Sequence, residues 1–260
     1  MATRTISALI GGPLFLGLIY LGGEYTAFLV AVLTLLALKE FLQIGEQMGV
    51  HAWSKLTMLV GVVWLISLLF GGAEWRLGVL VLWLLIGLGR LALTYPRASL
   101  TEASFNILAI FYSMVLLSHL YLLRQLPNGL EWTFLTIFLV WSTDIGAYLI
   151  GRQFGKHLLA PHVSPKKTIE GSLGGLLLSS AVALVFWRLV GGPSWIMYII
   201  LAVIITISAQ IGDLFESALK RSAGVKDSGK LIPGHGGILD RFDSLIFALP
   251  LVYYGVTLLT

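Results

Sequence analysis

The chain has 260 residues, 57% of them hydrophobic and 12% charged, with no cysteine and a formal net charge of +4 at pH 7. A soluble domain carries about 25% charged residues; half that share, with a mean hydropathy of +0.91, excludes a soluble globular fold and indicates an integral membrane protein. Disulfide and thiolate chemistry are excluded by composition, and the excess positive charge is assigned to membrane topology rather than to nucleic acid.

The N-terminus, MATRTISALIGGPLFLGLIYLGG, has the single Arg and apolar run of a signal peptide. More apolar stretches follow it, so it is read as a retained first helix. These stretches have helical length and no alternating pattern, which points to helices rather than a barrel. At roughly 20 apolar residues per crossing, the expectation is an all-α polytopic membrane protein. Its spans, about nine, lie near 5–22, 25–44, 56–71, 76–94, 103–123, 132–150, 172–190, 194–213 and 243–260. The third is short, and Arg90 near the end of the fourth is long enough to snorkel to the interface.

The basic residues set the orientation. With the N-terminus in the cytoplasm, only Arg76, Arg124 and Arg188 of the 17 Lys and Arg residues fall on the opposite side. That asymmetry matches the positive-inside rule. It places the connections 151–171 and 214–242 on one cytoplasmic face. The chain reads as one membrane domain, 1–260, in which 1–130 is mainly scaffold and 131–260 is the catalytic half.

Polar residues concentrate in that second half. Asp144 lies within an apolar span, where an ionisable group signals function, and Tyr148 follows one turn later on the same face. Arg152, Lys156, Lys166 and Lys167 come next. In SPKKTIEG, before a glycine-rich stretch suited to close helix packing, either Lys166 or Lys167 is expected to face phosphate. Further on, Asp213, Glu216, Ser217 and Lys220 share one helix face, which Gln210 extends toward the membrane. Asp240, Asp243 and Ser244 repeat the spacing at the start of the last span. Helix capping accounts for one of those acids, but not for two acids and Arg241 beside His-Gly-Gly. Carboxylate oxygens suit a hard divalent cation that keeps positions open for phosphate oxygens, and Asp213 and Asp240 are the leading ligands. Between them, KDSGKLIPGHGG offers glycines that let backbone N–H groups approach a phosphate. Lys226 and Lys230 are there to neutralise it, and His235 is read as a ligand, an acid or a phosphate donor.

The segment SALKRSAGVKDSGKLIPGHGGILDRFD, Ser217 to Asp243, resembles the signature of the phosphatidate cytidylyltransferases, or CDP-diacylglycerol synthases. The matching positions are Ser217, Lys220, Arg221, Lys226, Asp227, His235, Gly236, Gly237, Asp240, Arg241 and Asp243. The family's upstream features match Asp144, Ala147, Tyr148, Gly151, Phe154, Gly155, Lys156 and Ser164 to Gly171. By motif the resemblance covers residues 141–243; the front half is similar only in being apolar. It implies that CTP and phosphatidate give CDP-diacylglycerol and pyrophosphate, with dependence on Mg²⁺ and room for a second cation. On that reading Asp213, Asp240, Lys226 and Asp243 are catalytic. Mg²⁺ is held by Asp213 and Asp240, and Asp144 either binds a second cation or orients Tyr148. Substrate contacts are expected from Ser217, Lys220, Arg221, Lys166, Lys167, His235, Gly236, Arg241 and Tyr148. A bacterial inner membrane with a cytoplasmic-side site, and a homodimer, complete the expectation. Two rival readings are an enzyme acting on a polyisoprenoid or ether-lipid phosphate, and a transporter whose ion path uses Asp144 and Asp213. Clustering of the polar groups at one face disfavours transport.

Overall fold

In hydrocarbon every backbone N–H and C=O must be satisfied within the segment, and the helix does this without partners. The computed structural model of the chain describes residues 2–191, 194–231 and 236–259. Its helices are α1 (Ala2–Leu21), α2 (Gly23–Gln47), α3 (Ser54–Phe70), α4 (Ala73–Thr94) and α5 (Leu100–Ile110), which continues through a π-helical stretch, Phe111–Leu116, into α6 (Leu117–Gln125). Then come α7 (Gly129–Phe154), strands β1 (Leu158–Ala160) and β2 (Ser164–Thr168), α8 (Ile169–Val190), α9 (Trp195–Ser222) and α10 (Leu239–Leu259). Each of the expected apolar stretches falls on one of these helices. Among the described residues six helical segments are long and apolar enough to cross a membrane: Gly23–Gln47, Ala73–Thr94, Leu100–Gln125, Gly129–Phe154, Ile169–Val190 and Trp195–Ser222. Leu9–Leu21 and Ser54–Phe70 are shorter apolar helices. The protein is a multi-pass membrane protein of helical architecture. A departure from all-α is the antiparallel β1–β2 hairpin, which pairs Leu158 with Thr168 and Ala160 with Ser164. It occupies a connection read from sequence as a loop. Pairing the two arms satisfies backbone groups that a bare loop leaves to solvent.

The helices gather into two compact bodies. The first takes residues 1–121 and 222–241. Its centre is α2, whose Phe41 ring lies 4.9 Å from Phe105 and 5.5 Å from Tyr112. Asn106 ties α5 to the start of α3. Its Oδ1 accepts from Trp53 N at 3.0 Å and Thr57 Oγ1 at 2.8 Å, and its Nδ2 donates to the Glu102 carbonyl at 2.7 Å. Helix α5 starts at a capping box in which Ser99 and Glu102 each bond the other's backbone N–H, the reciprocal arrangement expected of Ser-x-x-Glu. Arg90 places its guanidinium 4.5 Å from the Trp53 ring centroid, a cation–π contact that adds to the snorkelling read from its position. On α4 only Trp83 and Gly87 are buried, as suits a helix facing lipid.

The second body takes residues 122–221 and 242–260. Here α7 and α8 pack along their lengths with glycines at the crossing. A β-carbon on Gly146 would lie 2.5 Å from the Gly174 carbonyl oxygen, and one on Gly175 would lie 2.8 Å from the Thr143 carbonyl oxygen. Small residues let the backbones meet, as in other membrane helix pairs. Thr206 on α9 joins both, its hydroxyl 3.0 Å from Thr143 Oγ1 and 2.7 Å from Ser179 Oγ. Trp132 stacks near Tyr198 at 6.0 Å and Phe215 near Phe247 at 5.7 Å, fixing α9 against α7 and α10.

Candidate active site

A cleft of about 470 Å³ opens in the second body. Helix α7 contributes Thr143, Asp144, Ala147, Tyr148, Gly151 and Arg152. The hairpin supplies Leu159, Lys166, Lys167 and Thr168. From α8 come Gly171 and Ser172, and from α9 Gln210 and Asp213. Three stretches singled out from sequence thus share one concavity.

Each wall has a local reason for its position. Thr168 ends β2 and caps α8, its Oγ1 accepting from Gly171 N at 3.1 Å, as Thr commonly does at a helix start. This turns the chain sharply just after the two lysines. A β-carbon on Gly155 would come within 2.8 Å of Thr168 Cγ2, so glycine there admits the hairpin against the end of α7. Glu170 holds the hairpin's other arm: its Oε2 accepts from Lys156 N at 3.1 Å and His157 N at 3.2 Å, and Oε1 lies 2.5 Å from His157 Nδ1.

In a strand successive side chains alternate between faces. Lys166 is exposed, while Lys167 is partly buried and turns to α9, where its Nζ lies 2.5 Å from Asp213 Oδ2. Lys167 is thus the lysine paired with Asp213, and both lysines line the cleft. The Asp213 side chain is 33% exposed and that of Lys167 26%, with the Lys167 Nζ atom itself buried against Asp213. Ser217 donates to Asp213 Oδ1 at 3.3 Å. One turn before Asp213, Gln210 accepts a hydrogen bond from the Ser172 hydroxyl. Tyr148 is exposed on α7, its hydroxyl accepting from Arg152 at 3.2 Å.

Asp243 completes the acidic set. The charges of Asp213, Asp144 and Lys220 all act on its carboxylate. Oxygen donors of this kind suit a hard cation, so the residues fit Mg²⁺ by chemistry. Among the described residues, however, no three His, Asp or Glu side chains are gathered into a ready-made metal cluster. Lys220, expected at phosphate, lies 2.5 Å from Glu216, whose side chain is fully buried. The sequence places Glu216 on the polar stripe without marking it as the partner of that lysine. Arg221 is exposed at the end of α9.

The remaining expected residues belong to the first body. Asp240, on the first turn of α10, holds the loop before it. Its Oδ2 accepts from Ser228 N at 2.8 Å, Ser228 Oγ at 2.9 Å and Gly237 N at 2.8 Å. Gly236 has φ +83°, which a side chain rarely tolerates, and a β-carbon there would also strike the Asp240 carboxylate. Lys226 and Arg241 are exposed. His235 lies outside the described residues. A carboxylate that sequence reading passes over, Glu40 on α2, is only 5% exposed and meets the same loop. The one signal for it is an acid inside an apolar span.

Residues 2–259 match the model of the cytidylyltransferase family. Among curated proteins, the phosphatidate cytidylyltransferase of Staphylococcus haemolyticus is 36% identical over 263 residues, covering 97% of each chain. Those of Staphylococcus epidermidis and Staphylococcus aureus are 37% and 38% identical over 261 residues, again with 97% of each chain covered. With near-complete coverage on both sides, and with the motif-bearing segments 141–172 and 210–213 sharing one cleft, the chain belongs to the cytidylyltransferase family.

Proposed function

We propose that this protein is a phosphatidate cytidylyltransferase, a nucleotidyltransferase of phospholipid synthesis that converts CTP and phosphatidate to CDP-diacylglycerol and pyrophosphate. The observation that carries the reading is the cleft itself, where Arg152, Lys166 and Lys167 face Asp144 and Asp213.

A phosphate monoester carries about −1.5 to −2 charges at pH 7. One of its oxygens attacks the α-phosphorus of CTP, the bond to the bridging oxygen of the β-phosphate breaks, and pyrophosphate leaves. The nucleophile is already ionised, so no strong general base is needed. The obstacle is bringing two anions together, and its remedy is positive charge and alignment. Lys167 is suited to this. A phosphate oxygen can replace Asp213 as its partner, which frees that carboxylate in the same exchange. Lys166 and Arg152 at the rim draw the anions in. Lys220, Arg221, Lys226 and Arg241 are assigned to phosphate contacts, as are Ser217, Gly236 and His235. Tyr148 is assigned to orienting substrate.

For Mg²⁺ the assigned ligands are Asp213 and Asp240, with Asp243 supporting and Asp144 available to a second cation. When bound, the ion neutralises phosphate charge and stabilises the departing pyrophosphate. Nine spans with the N-terminus in the cytoplasm put the connections 151–171 and 214–242 on the side where CTP is found. The acyl chains stay in the bilayer of a bacterial inner membrane, and a homodimer is the proposed assembly.

Purified protein in detergent–phosphatidate micelles tests this directly. CDP-diacylglycerol and pyrophosphate should form in equal amounts, only with Mg²⁺. A folded preparation that makes neither from phosphatidate, but uses a polyisoprenoid phosphate, would replace the substrate assignment.

A further inference from the structure

We infer that Glu40 is a positioning residue of this reaction: it holds Ser228, Ile238 and Leu239 and, through Ser228, aims the carboxylate of Asp240. The inference rests on the proposed role of Asp240 as a cation ligand.

Glu40 sits on α2, far from the signature in sequence, and the first body brings the two together. Its Oε1 accepts from Ile238 N at 2.9 Å. Its Oε2 accepts from Leu239 N at 3.0 Å and from Ser228 Oγ at 3.0 Å. The loop is shaped to this carboxylate, since a β-carbon on Gly229 would lie 2.6 Å from Oε1 and one on Gly237 would also strike it. The glycines therefore serve close approach to an internal acid as well as whatever they offer a phosphate. On the loop's other side, Asp240 Oδ2 takes Ser228 N, Ser228 Oγ and Gly237 N.

The Ser228 hydroxyl thus stands between two carboxylates, 3.0 Å from Glu40 and 2.9 Å from Asp240. It also accepts from Asp240 N at 3.3 Å. A hydroxyl has a single hydrogen to donate, so the two acids share that one donor, and the position of one bears on the other. Holding one oxygen of Asp240 by backbone and hydroxyl donors fixes the direction of the other. Partners that orient a metal ligand in this way typically change metal affinity by about 10–100-fold when removed. A carboxylate accepts from all three donors that reach Glu40, whereas the amide of glutamine turns its NH₂ against one of them.

The test measures binding of Mn²⁺ alone, as a stand-in for Mg²⁺, from the free-ion paramagnetic resonance signal. Wild type, Glu40→Gln, Glu40→Asp and Asp240→Asn are compared as full-length protein in micelles, alongside thermal unfolding without metal. Glu40→Gln and Asp240→Asn should each weaken Mn²⁺ binding about 10–100-fold, and the Mg²⁺ midpoint for turnover should rise in parallel. A purely structural Glu40 would lower the unfolding temperature and leave Mn²⁺ affinity at the wild-type value. That result, with Asp240→Asn impaired, overturns the inference alone. Wild-type affinity in Asp240→Asn overturns the cation assignment, and the inference falls with it. If Glu40→Gln does not fold, Glu40→Asp decides by the same readout, because it keeps the charge and leaves every contact between Ser228 and Asp240 while drawing the carboxylate back from Ser228; wild-type Mn²⁺ affinity in it overturns the inference.

Discussion

Gly174 on α8 has Ile150 and the Gly146 carbonyl of α7 where a β-carbon would stand, the oxygen only 2.8 Å away. The nearest atom, Ile150 Cβ, would lie 2.4 Å away; non-bonded heavy atoms settle at about 3.5 Å, so in Gly174→Ala the helices must part by roughly 1.1 Å. Overpacking of this kind costs about 1–3 kcal/mol. At about 2–4 °C per kcal/mol for a chain of this size, the unfolding temperature should fall by about 2–12 °C. Activity should fall further, because α7 carries Asp144 and Tyr148 while α8 carries Ser172 of the same cleft. A displacement near 1 Å costs about 100-fold in rate, so a loss of at least about tenfold in kcat is expected. The control is Gly78→Ala on α4, where a β-carbon would meet nothing within 4 Å and alanine is the better helix former. The assay is thermal unfolding in micelles with CDP-diacylglycerol formation at saturating CTP. If Gly174→Ala matches Gly78→Ala in both, close packing of α7 on α8 does not set the cleft.

Lys167→Met removes the cation that faces Asp213 and should lower kcat about 100-fold, comparable with the loss of one transition-state donor elsewhere; turnover close to wild type would deny Lys167 a role in the chemistry. Glu170→Gln places an NH₂ group against the N–H donors of Lys156 and His157, so tryptic cleavage at Lys156 and Lys166 should accelerate several-fold, and an unchanged digestion rate would mean that Glu170 does not hold the hairpin. Thr206→Val removes two hydroxyl contacts in the second body. Such bonds inside membranes average about 0.6 kcal/mol each, so unfolding should move down by only about 2–5 °C, and a collapse of the fold would show that the hydroxyl cluster holds far more.

Helix positions are legible in the sequence because the physics is local: a run of apolar residues in hydrocarbon has one way to satisfy its backbone. The polar stripe on α9 is legible for the same reason. Its period brings Ser217 to Asp213 and Lys220 to Glu216, both i, i+4 pairs. Local period does not say which member of a stripe answers to which, so Lys220 reads toward phosphate without its buried partner. The hairpin escapes notice because β1 and β2 have only 3 and 5 residues, too short for alternation to show. Within β2, Lys166 is exposed and Lys167 partly buried against Asp213. Glu40 is marked in the sequence only as an acid inside an apolar span, and its role is not legible there. Its partners are 188 to 199 residues away, and nothing beside it on α2 repeats or pairs with it.

The proposed divalent cation can be set against the charge in the cleft. Three cationic side chains, Arg152, Lys166 and Lys167, line it against two carboxylates, Asp144 and Asp213, an excess of one positive charge. The lipid phosphate alone brings about −1.5 to −2, and a triphosphate adds several more. Were the cleft meant to neutralise them with side chains only, acids on its wall would be a handicap, since each repels the substrates it faces. Asp213 is instead placed where it can be uncovered: its partner Lys167 is a flexible cation suited to moving onto phosphate. Carboxylates that become available as phosphate arrives are what a cation site shared between protein and nucleotide requires, because hard cations are held by a few carboxylates together with substrate phosphates rather than by a complete protein cage.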